Sequence, residues 1–243
     1  MPFNIIFKQY GENAILIEWP KVISKEILND ICDFSERIKQ KNIKQIIDIN
    51  FVYSSMLVLY DNLNIEFKQL KEELLKIYET VSIETKTSKI LWKIPVCYDE
   101  IFGMDLHFIS FEMQLDEEEI IALHSNAIYT VYGIGFLPGF LYLGGLNDKL
   151  NFPRRVQPRL VVPKGSIGIG GSQTGIYPQN SPGGWQIIGK TPIYIFNINR
   201  KKPIEISTGD CIQFYPVSFN EFEIIEEKCK MGTFNLQKHF IND

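Results

Sequence analysis

Three arginines stand in a short segment of the chain that prolines stiffen. The run Pro153-Arg154-Arg155-Val156-Gln157-Pro158-Arg159 gathers three guanidinium groups in a protein whose formal net charge is −4. Guanidinium groups bind carboxylate and phosphate oxygens in bidentate pairs. The segment therefore favours recognition of a carboxylate, a carboxyphosphate or an acidic partner surface. A solvated turn without a ligand is the alternative that these residues leave open.

A segment rich in glycine and aromatic residues precedes the arginines. Residues 135–145 read Gly-Phe-Leu-Pro-Gly-Phe-Leu-Tyr-Leu-Gly-Gly. A loop this apolar usually covers a core or meets a partner. Two interpretations stay open for its aromatic side chains: internal packing, or contact with a ligand or partner.

Residues 184–191, Gly-Trp-Gln-Ile-Ile-Gly-Lys-Thr, satisfy the pattern GxxxxGK[ST] of phosphate-binding loops. Such a loop needs small residues inside it and a helix directly after it, because the helix N-terminus holds the phosphates. Here the interior residues are bulky, and Pro192 and the apolar run Ile193–Phe196 favour continued β structure. We interpret the segment as a strand and a turn, and we expect no tightly bound cofactor on this chain.

Other patterns that carry chemistry are absent from the sequence. The histidines His107, His124 and His239 are scattered, without HxH, HExxH or a clustered cysteine partner, so a metal site is not expected. The pattern GxSxG of a nucleophile elbow is also absent. A glycine cluster misses GxGxxG because Gln173 occupies the third glycine position. We interpret its members as barrel corners, bulges or points where the backbone approaches a ligand: Gly165, Gly168, Gly170, Gly171 and Gly175.

Composition limits the class of protein. A chain of 243 residues, 45% hydrophobic and 22% charged, fits one large domain or two small ones. Its acidic balance argues against a nucleic-acid partner, which would favour a clustered basic face. Charges interrupt every apolar run before it could span a membrane, and the start of the sequence resembles no targeting signal. Four widely spaced cysteines fit a reducing cytoplasm.

The periodicity predicts an α+β protein that begins with a small two-layer α/β domain at residues 1–85, ordered β-β-α-β-β-α. Ser24 is the expected N-cap of the first helix. The predicted strands are Phe3–Lys8, Ala14–Glu18, Ile43–Ile49 and Met56–Tyr60, and the helices carry Ile27, Leu28, Ile31, Phe34 and Ile38, then Phe67, Leu70, Leu74 and Ile77.

Residues 86–243 are predicted to form a second domain of different texture. After a strand at Ile90–Tyr98, the pair Asp116 and Glu119 has the spacing of a capping box before a helix at about 117–125. From residue 127 to residue 216, short β-rich runs alternate with Gly and Pro, which is typical of an all-β barrel or sandwich. Ser218 and Glu221 repeat the capping-box spacing before an acidic tail that we expect to be helical.

An ordered set of motifs lies between residues 94 and 216. The motifs are Ile94-Pro-Val-Cys-Tyr-Asp-Glu, His124-Ser, Tyr129-x-Val131, Gly135-Phe-Leu-Pro-Gly-Phe, Leu143-Gly-Gly-Leu, Pro153-Arg-Arg, Pro158-Arg, Val162-Pro, Gly165-Ser, Gln173-Thr-Gly-Ile-Tyr-Pro, Ser181-Pro-Gly-Gly-Trp and Ile188-Gly-Lys-Thr-Pro. In this order they resemble one family, that of the 5-oxoprolinase B subunits, also called allophanate hydrolase subunit 1 or kinase A inhibitor. The opening Tyr10-Gly-Glu-Asn-Ala14 resembles the start of that family as well.

The resemblance implies a fold and an activity. The fold is an α/β domain followed by a cyclophilin-like β-barrel. The activity is that of one subunit, inactive alone, in a complex that opens the lactam of 5-oxoproline to glutamate at the expense of ATP. The implied partners are the carboxyltransferase-like C subunit of 5-oxoprolinase, together with its LamB/YcsF-type A subunit. Two alternatives are a regulatory protein that inhibits autophosphorylation of a sporulation sensor histidine kinase, and one component of an allophanate or urea-pathway hydrolase.

Roles for individual residues follow from the resemblance and from the chemistry of lactam opening, which needs cations for carboxylate and phosphate charge and donors for a developing oxyanion. His124 is the candidate proton carrier, and a structural histidine is the alternative. Arg155 and Gln173 are the other candidate catalytic residues. The candidate substrate-binding residues are Arg154, Arg159, Tyr177 and Trp185, and we expect their loops to converge on one cleft.

Overall fold

The computed structural model describes residues 3–80 and 89–241. The chain divides into two compact units, residues 1–87 and 88–243. The boundary predicted between residues 85 and 86 falls outside the described residues. Each unit has its own buried apolar cluster, and the architecture is mixed α and β with a large, mainly antiparallel sheet.

The first unit confirms the predicted order of strands and helices. Its strands pair as antiparallel neighbours in the order β1-β2-β4-β3. The elements are β1 (Ile6–Tyr10), β2 (Ala14–Glu18), α1 (Lys25–Lys41), β3 (Ile46–Val52), β4 (Ser55–Tyr60) and α2 (Phe67–Glu79).

The apolar stripe of α1 explains how this unit forms two layers. Ser24 caps the helix as predicted, because its side chain accepts a hydrogen bond from the backbone N–H of Ile27. The five predicted apolar residues of α1 are all buried, and four of them, all except Leu28, belong to the cluster that contains Ile15 and Val58 of the sheet. Helix and sheet therefore share one core. The apolar stripe of the helix and the alternating apolar residues of the strands predict this arrangement.

The second unit is built mostly of short strands. Its elements are β5 (Lys89–Val96), α3 (Leu106–Met113), α4 (Glu117–Asn126), β6 (Ile128–Ile134), β7 (Leu141–Gly144), a 3-10 turn (Asp148–Leu150), β8 (Arg159–Val162), β9 (Ser166–Gly170), β10 (Gln173–Ile176), β11 (Ser181–Gly183), β12 (Gln186–Lys190), β13 (Cys211–Pro216), α5 (Phe219–Lys230) and β14 (Gln237–Ile241).

The sheet of this unit runs β14-β5-β13-β6-β7-β10-β9-β12, in which only the β5–β13 pair is parallel among the described strands, and β8 pairs with β11 in a separate ribbon. The cyclophilin-like barrel is not confirmed, because no ladder between β12 and β5 is present among the described residues. The two strands meet at one point, where Cys97 and Lys190 exchange backbone hydrogen bonds of 2.9 Å in both directions.

The predictions from local sequence signals in the second unit are partly confirmed. Helix α4 lies where predicted, but Asp116 makes no capping hydrogen bond, so that capping box is wrong. The capping box of Ser218 and Glu221 at the start of α5 is confirmed in both directions. Helix α3 and strand β14 were not predicted.

Candidate functional site

A cavity of about 230 Å³ opens on the side of the β9–β10 hairpin that faces away from the main core. Five aromatic residues and two of the three predicted arginines, Arg154 and Arg155, line it. The aromatic residues are Phe136, Phe140, Tyr142, Tyr177 and Trp185. The site therefore combines apolar walls with positive charge, a combination that suits a small ligand with a flat body and an acidic group.

Glycines on two paired strands create the space for Trp185. A Cβ at Gly170 would lie 2.8 Å from Cδ2 of the indole, and one at Gly175 would lie 2.9 Å from its Cζ3. Gly168 approaches the Trp185 side chain in the same way, at 3.0 Å. Three of the five glycines of the cluster seen in the sequence, Gly168, Gly170 and Gly175, thus form a platform on which an indole lies. Trp185, only 5% exposed, is the floor of the cavity.

Phe140 joins the aromatic walls to one another. Its ring meets those of Trp185, Tyr177 and Tyr142 edge to face, with centroids 5.6, 5.3 and 4.9 Å apart. Such pairs add stability beyond the area they bury. Phe140 is 3% exposed, whereas Phe136 at the cavity is 70% exposed. Within residues 135–145, Phe140 therefore packs internally, as one interpretation predicts, and contact with a ligand or partner stays a prediction for the exposed Phe136.

The arginines differ in how they meet the cavity. Arg154 lies over the Trp185 ring, with its guanidinium carbon 5.3 Å from the ring centroid. The backbone N–H of Arg155 donates to the Gly184 carbonyl at 2.7 Å, and its Nη1 donates to Asp105 at 3.2 Å. Arg159 does not line the cavity, and its Nη2 donates to the same Asp105 oxygen at 2.6 Å.

Asp105 is the functional-site residue that sequence reasoning missed. Its side chain is only 4% exposed, and it accepts hydrogen bonds from the two arginines and from the backbone N–H of Ile187 at 2.6 Å. No motif marks it, because its partners lie 50 or more positions away in the sequence. The one local signal is an acidic residue directly before the apolar helix α3.

Tyr177 stands in the wall of the cavity and is 2% exposed. Burial raises the pKa of its hydroxyl, and a hydrogen bond from the Trp185 backbone and the charges of Arg154 and Arg159 oppose that rise. A Cβ at Gly183 would lie 2.4 Å from the phenol oxygen, so the backbone fits closely around it. The hydroxyl is therefore a neutral donor at the edge of a cationic site.

Gln173 begins β10, opposite Gly170 of β9. Because side chains alternate along a strand, it shares a face with Gly175, the face on which Trp185 lies. It is half-buried and does not line the cavity. The structure thus places the predicted Gln173 next to the site rather than within it.

His124 does not line the cavity, and its surroundings favour the structural alternative over the predicted proton carrier. The residue is fully buried in the main core of the second unit, where its ring stacks on Phe214 with centroids 4.7 Å apart. Nδ1 lies 2.7 Å from the Tyr98 hydroxyl and Nε2 lies 3.0 Å from that of Thr174. Burial lowers its pKa to about 3. An imidazole with both nitrogens engaged and no solvent contact is the structural histidine of the alternative.

The phosphate-loop pattern is a strand, as interpreted from the sequence, but the continued β structure predicted for Ile193–Phe196 is wrong, because these residues belong to no strand. Residues 186–190 form β12, and no helix follows at residue 191. The amine of Lys190 lies 5.0 Å from the centroid of the Phe102 ring and 5.5 Å from that of Phe222. The contact of the Lys190 amine with these two rings accounts for a lysine at this position without a bound phosphate.

Sites of two other kinds are absent from the described part of the chain. Within residues 3–80 and 89–241, no three His, Cys, Asp or Glu side chains gather as ligands for a metal ion. Over the same residues, no helix combines the length and the apolar character that a membrane crossing requires.

Residues 5–206 match the family described as "Carboxyltransferase domain, subdomain C and D". The chain is 33% identical over 232 residues to the B subunit of 5-oxoprolinase from Bacillus subtilis, a match that covers 91% of this chain and 96% of that protein. It is 37% identical over 204 residues to the Haemophilus influenzae protein of the same name, covering 84% and 94%. It is also 24% identical over 279 residues to the urea amidolyase of Saccharomyces cerevisiae, covering 97% of this chain and 14% of that protein.

Solved structures of longer chains share the fold. The protein TTHA0988 superposes with a TM-score of 0.75 at 27% identity, over 84% of this chain and 40% of that one. The Kluyveromyces lactis urea amidolyase superposes with a TM-score of 0.82 at 20% identity, over 99% of this chain and 16% of that one. The present chain thus spans two fifths or less of each of these longer chains, and the likeness to the amidolyase concerns the fold.

Proposed function

The chain belongs to the family of 5-oxoprolinase B subunits, and from this premise we propose that it is the B subunit of an ATP-dependent complex that opens the lactam of 5-oxo-L-proline to L-glutamate. Its partners would be the carboxyltransferase-like C subunit of 5-oxoprolinase, together with the LamB/YcsF-type A subunit. ATP would be used by the complex rather than bound tightly by this chain, which would be inactive alone. Four cysteines without disulfides support a place in the cytoplasm.

The observation that carries the proposal is the pairing of Arg155 with the indole floor of Trp185 in one cavity. 5-Oxoproline is a small cyclic amide with one carboxylate. The carboxylate would bind the guanidinium of Arg155 with Arg154 beside it, and the lactam ring would lie on the indole. Tyr177 would donate its hydroxyl proton to a ligand oxygen.

Lactam opening requires activation of an amide carbonyl that resonance makes unreactive. In the complex, phosphorylation of the carbonyl oxygen by ATP would supply that activation, with the γ-phosphate transferred and ADP released. The residues of this chain would then bind and orient the substrate and balance its negative charge. Gln173, beside the glycine platform, remains the proposed polar residue at the edge of this site. Arg159 contributes charge from behind Asp105 rather than by direct contact.

Steady-state kinetics of the reconstituted complex test the proposal. The wild type is expected to hydrolyse ATP only when 5-oxoproline is present. Replacement of Arg155 by Gln removes a charged hydrogen bond worth about 1.5–3 kcal/mol, so KM for 5-oxoproline should rise roughly ten- to a hundredfold. The matched control is Arg200→Gln, because Arg200 is 42% exposed and pairs with Glu205 away from the cavity.

The proposal fails if the complex shows no turnover that depends on 5-oxoproline. The assignment of the cavity fails if Arg155→Gln and Arg200→Gln have the same KM.

A second candidate is a component that acts on urea or allophanate, and the match to urea amidolyase over 97% of this chain favours it. The same assay separates the two, because ATP hydrolysis would then follow added urea or allophanate instead of 5-oxoproline. Inhibition of a sporulation sensor histidine kinase stays a prediction that neither the fold nor the comparisons test.

We also infer that the main sheet of the second unit closes as the cyclophilin-like barrel that the family resemblance implies. The support is the paired hydrogen bond between Cys97 and Lys190, since it joins the residue after β5 to the end of β12. Hydrogen exchange should find both amides protected as strongly as the central strands. Rapid exchange at these two amides alone would mean an open sheet.

A further inference from the structure

Asp105 occupies the N-cap position of α3 but does not cap it. An aspartate at this position usually accepts a hydrogen bond from the second or third backbone N–H of its helix. Here the side chain makes no such bond. Both carboxylate oxygens turn instead toward the cavity side, where Oδ1 receives the two arginines and Oδ2 receives the backbone N–H of Ile187. Asp105 thus lacks the capping hydrogen bond that its position favours and binds the two arginines of the candidate site instead.

Hydrogen bonds to strand β12 fix the Asp105 carboxylate independently of the arginines. The backbone N–H of Asp105 donates to the Ile187 carbonyl at 2.9 Å, and the Ile187 N–H returns a bond to Oδ2 at 2.6 Å. Asp105 and strand β12 are thus joined in both directions. Since Trp185 directly precedes β12, the same backbone sets the floor of the cavity and the position of the carboxylate.

Arg155 is consequently held at both ends. Its backbone N–H is bound by the Gly184 carbonyl at 2.7 Å, and its guanidinium is bound by Asp105 at 3.2 Å. The side chain is 35% exposed and lines the cavity. An arginine that is ordered before a ligand arrives loses less conformational entropy on binding, which strengthens the interaction.

The charges do not cancel at Asp105. One carboxylate faces two guanidinium groups, so the cluster carries an excess positive charge. Two of the guanidinium nitrogens, Nε of Arg155 and Nη1 of Arg159, are buried and have no hydrogen-bond partner among the described residues. A second, half-buried cation on the same carboxylate oxygen increases the attraction of the site for an anion.

We propose that Asp105 is a positioning residue that orders Arg155 against the cavity and, with Arg159 behind it, sets the affinity of the site for the substrate carboxylate. The role of the ligand rests on the proposed function, but the ordering of Arg155 does not. Asp105 touches no substrate atom in this scheme and acts through the arginine.

The test replaces Asp105 by Asn in the full chain, alone and together with Arg155→Gln. Asparagine keeps an oxygen for the Ile187 N–H but loses the charge that holds the guanidinium groups. The matched control is Asp210→Asn, since Asp210 is also buried, at 9% exposure, and accepts bonds from Trp92 Nε1 and the Ser207 N–H, whereas no arginine among the described residues donates to it.

In the reconstituted complex, Asp105→Asn should raise KM for 5-oxoproline roughly tenfold with little change in kcat, as expected when ground-state binding is lost. Asp210→Asn should leave KM unchanged even if both variants unfold at lower temperatures. Asp105→Asn should add nothing to Arg155→Gln, because the two changes remove the same interaction. Equal KM values for the two aspartate variants, or independent effects in the double variant, would overturn the proposal.

The signal of the Arg155 Nη1 hydrogens, which donate to Asp105, gives a readout in ¹H–¹⁵N spectra of the isolated chain that needs no turnover. It should be sharp in the wild type and in Asp210→Asn, and it should be lost to exchange in Asp105→Asn. A signal that persists in Asp105→Asn refutes the positioning role. A wild-type complex without 5-oxoproline turnover refutes the proposed function instead, so the two failures are distinguishable.

Discussion

Replacement of the buried His124 by Asn is expected to remove a pH dependence from the free energy of unfolding. The Thr174 hydroxyl donates to the Gly168 carbonyl at 3.0 Å, so its oxygen is left to accept from Nε2–H of the imidazole. Nδ1 then accepts from the Tyr98 hydroxyl at 2.7 Å. The surroundings of His124 are thus arranged for a neutral ring, because a second N–H, on Nδ1, would displace the hydrogen bond that the Tyr98 hydroxyl donates to that nitrogen.

The magnitude follows from the two pKa values of the group. Burial lowers the pKa of His124 from 6.5 to about 3 in the folded protein, whereas the unfolded chain takes up the proton near a pH of about 6.5. Between these values the unfolded state binds one proton more than the folded state, so stability falls as the pH falls. The slope is about 1.4 kcal/mol per pH unit, or about 2 kcal/mol between about pH 6.5 and about pH 5.

The assay is urea unfolding of the wild type and of His124→Asn at intervals from about pH 7 to about pH 5, above the range in which most carboxylates titrate. The variant should be less stable at neutral pH, because it loses the stacking on Phe214. Its deficit should then shrink by about 2 kcal/mol across the window, because only the wild type still has the imidazole. His239→Asn on the exposed strand β14 is the control and should show a constant difference from the wild type.

A deficit for His124→Asn that stays constant with pH would refute this reasoning. It would mean that the imidazole titrates alike in the folded and unfolded states. A proton carrier active near neutral pH would then become tenable again at this position.

Two further predictions concern packing and capping. Gly170→Ala should destabilise the protein by about 1–3 kcal/mol and raise KM for 5-oxoproline, because the new Cβ would press on the Trp185 ring; Gly135→Ala, which meets nothing within 4 Å, is the control in thermal unfolding and kinetics. Ser218→Ala should cost about 1 kcal/mol in urea unfolding without a change in KM, because it breaks the capping box with Glu221 far from the cavity. An equal loss in both glycine variants, or no loss for the serine variant, would contradict these expectations.

The elements of the first unit could be predicted because each one shows its period within a few residues. The apolar spacing of α1 and its Ser24 cap are local facts, and both are confirmed. Helix α3 was missed because its eight residues are apolar on nearly every side, with Phe108 and Phe111 exposed, and so show no stripe. Strand β14 was missed because its side chains are mostly exposed and its formation depends on pairing with β5.

The candidate site could be predicted only in part. The side-chain types of arginine and tryptophan indicate anion binding and an apolar wall, so the sequence could nominate Arg154, Arg155 and Trp185, which line the cavity. For His124 the same signal is ambiguous, since residue type alone does not separate a buried structural histidine from a catalytic one. Asp105 gave no signal, because its role arises from contacts across 50 to 82 positions.

The residues that disqualify 184–191 as a phosphate loop are the ones that build the cavity. A phosphate loop needs small residues between its glycines, so that backbone N–H groups can surround an anion. In this chain Trp185 supplies the floor of the cavity, Gln186 donates to the Pro153 carbonyl at 3.2 Å, and the Ile187 N–H fixes Asp105. In the proposed site the segment would thus serve an anion indirectly, because its backbone and side chains support the arginines, whose guanidinium groups would provide the charge. Small residues at positions 185 and 186 would not restore a phosphate loop, since no helix follows. They would remove the indole floor and the hydrogen bond to the Pro153 carbonyl, whereas the backbone N–H at position 187 would remain.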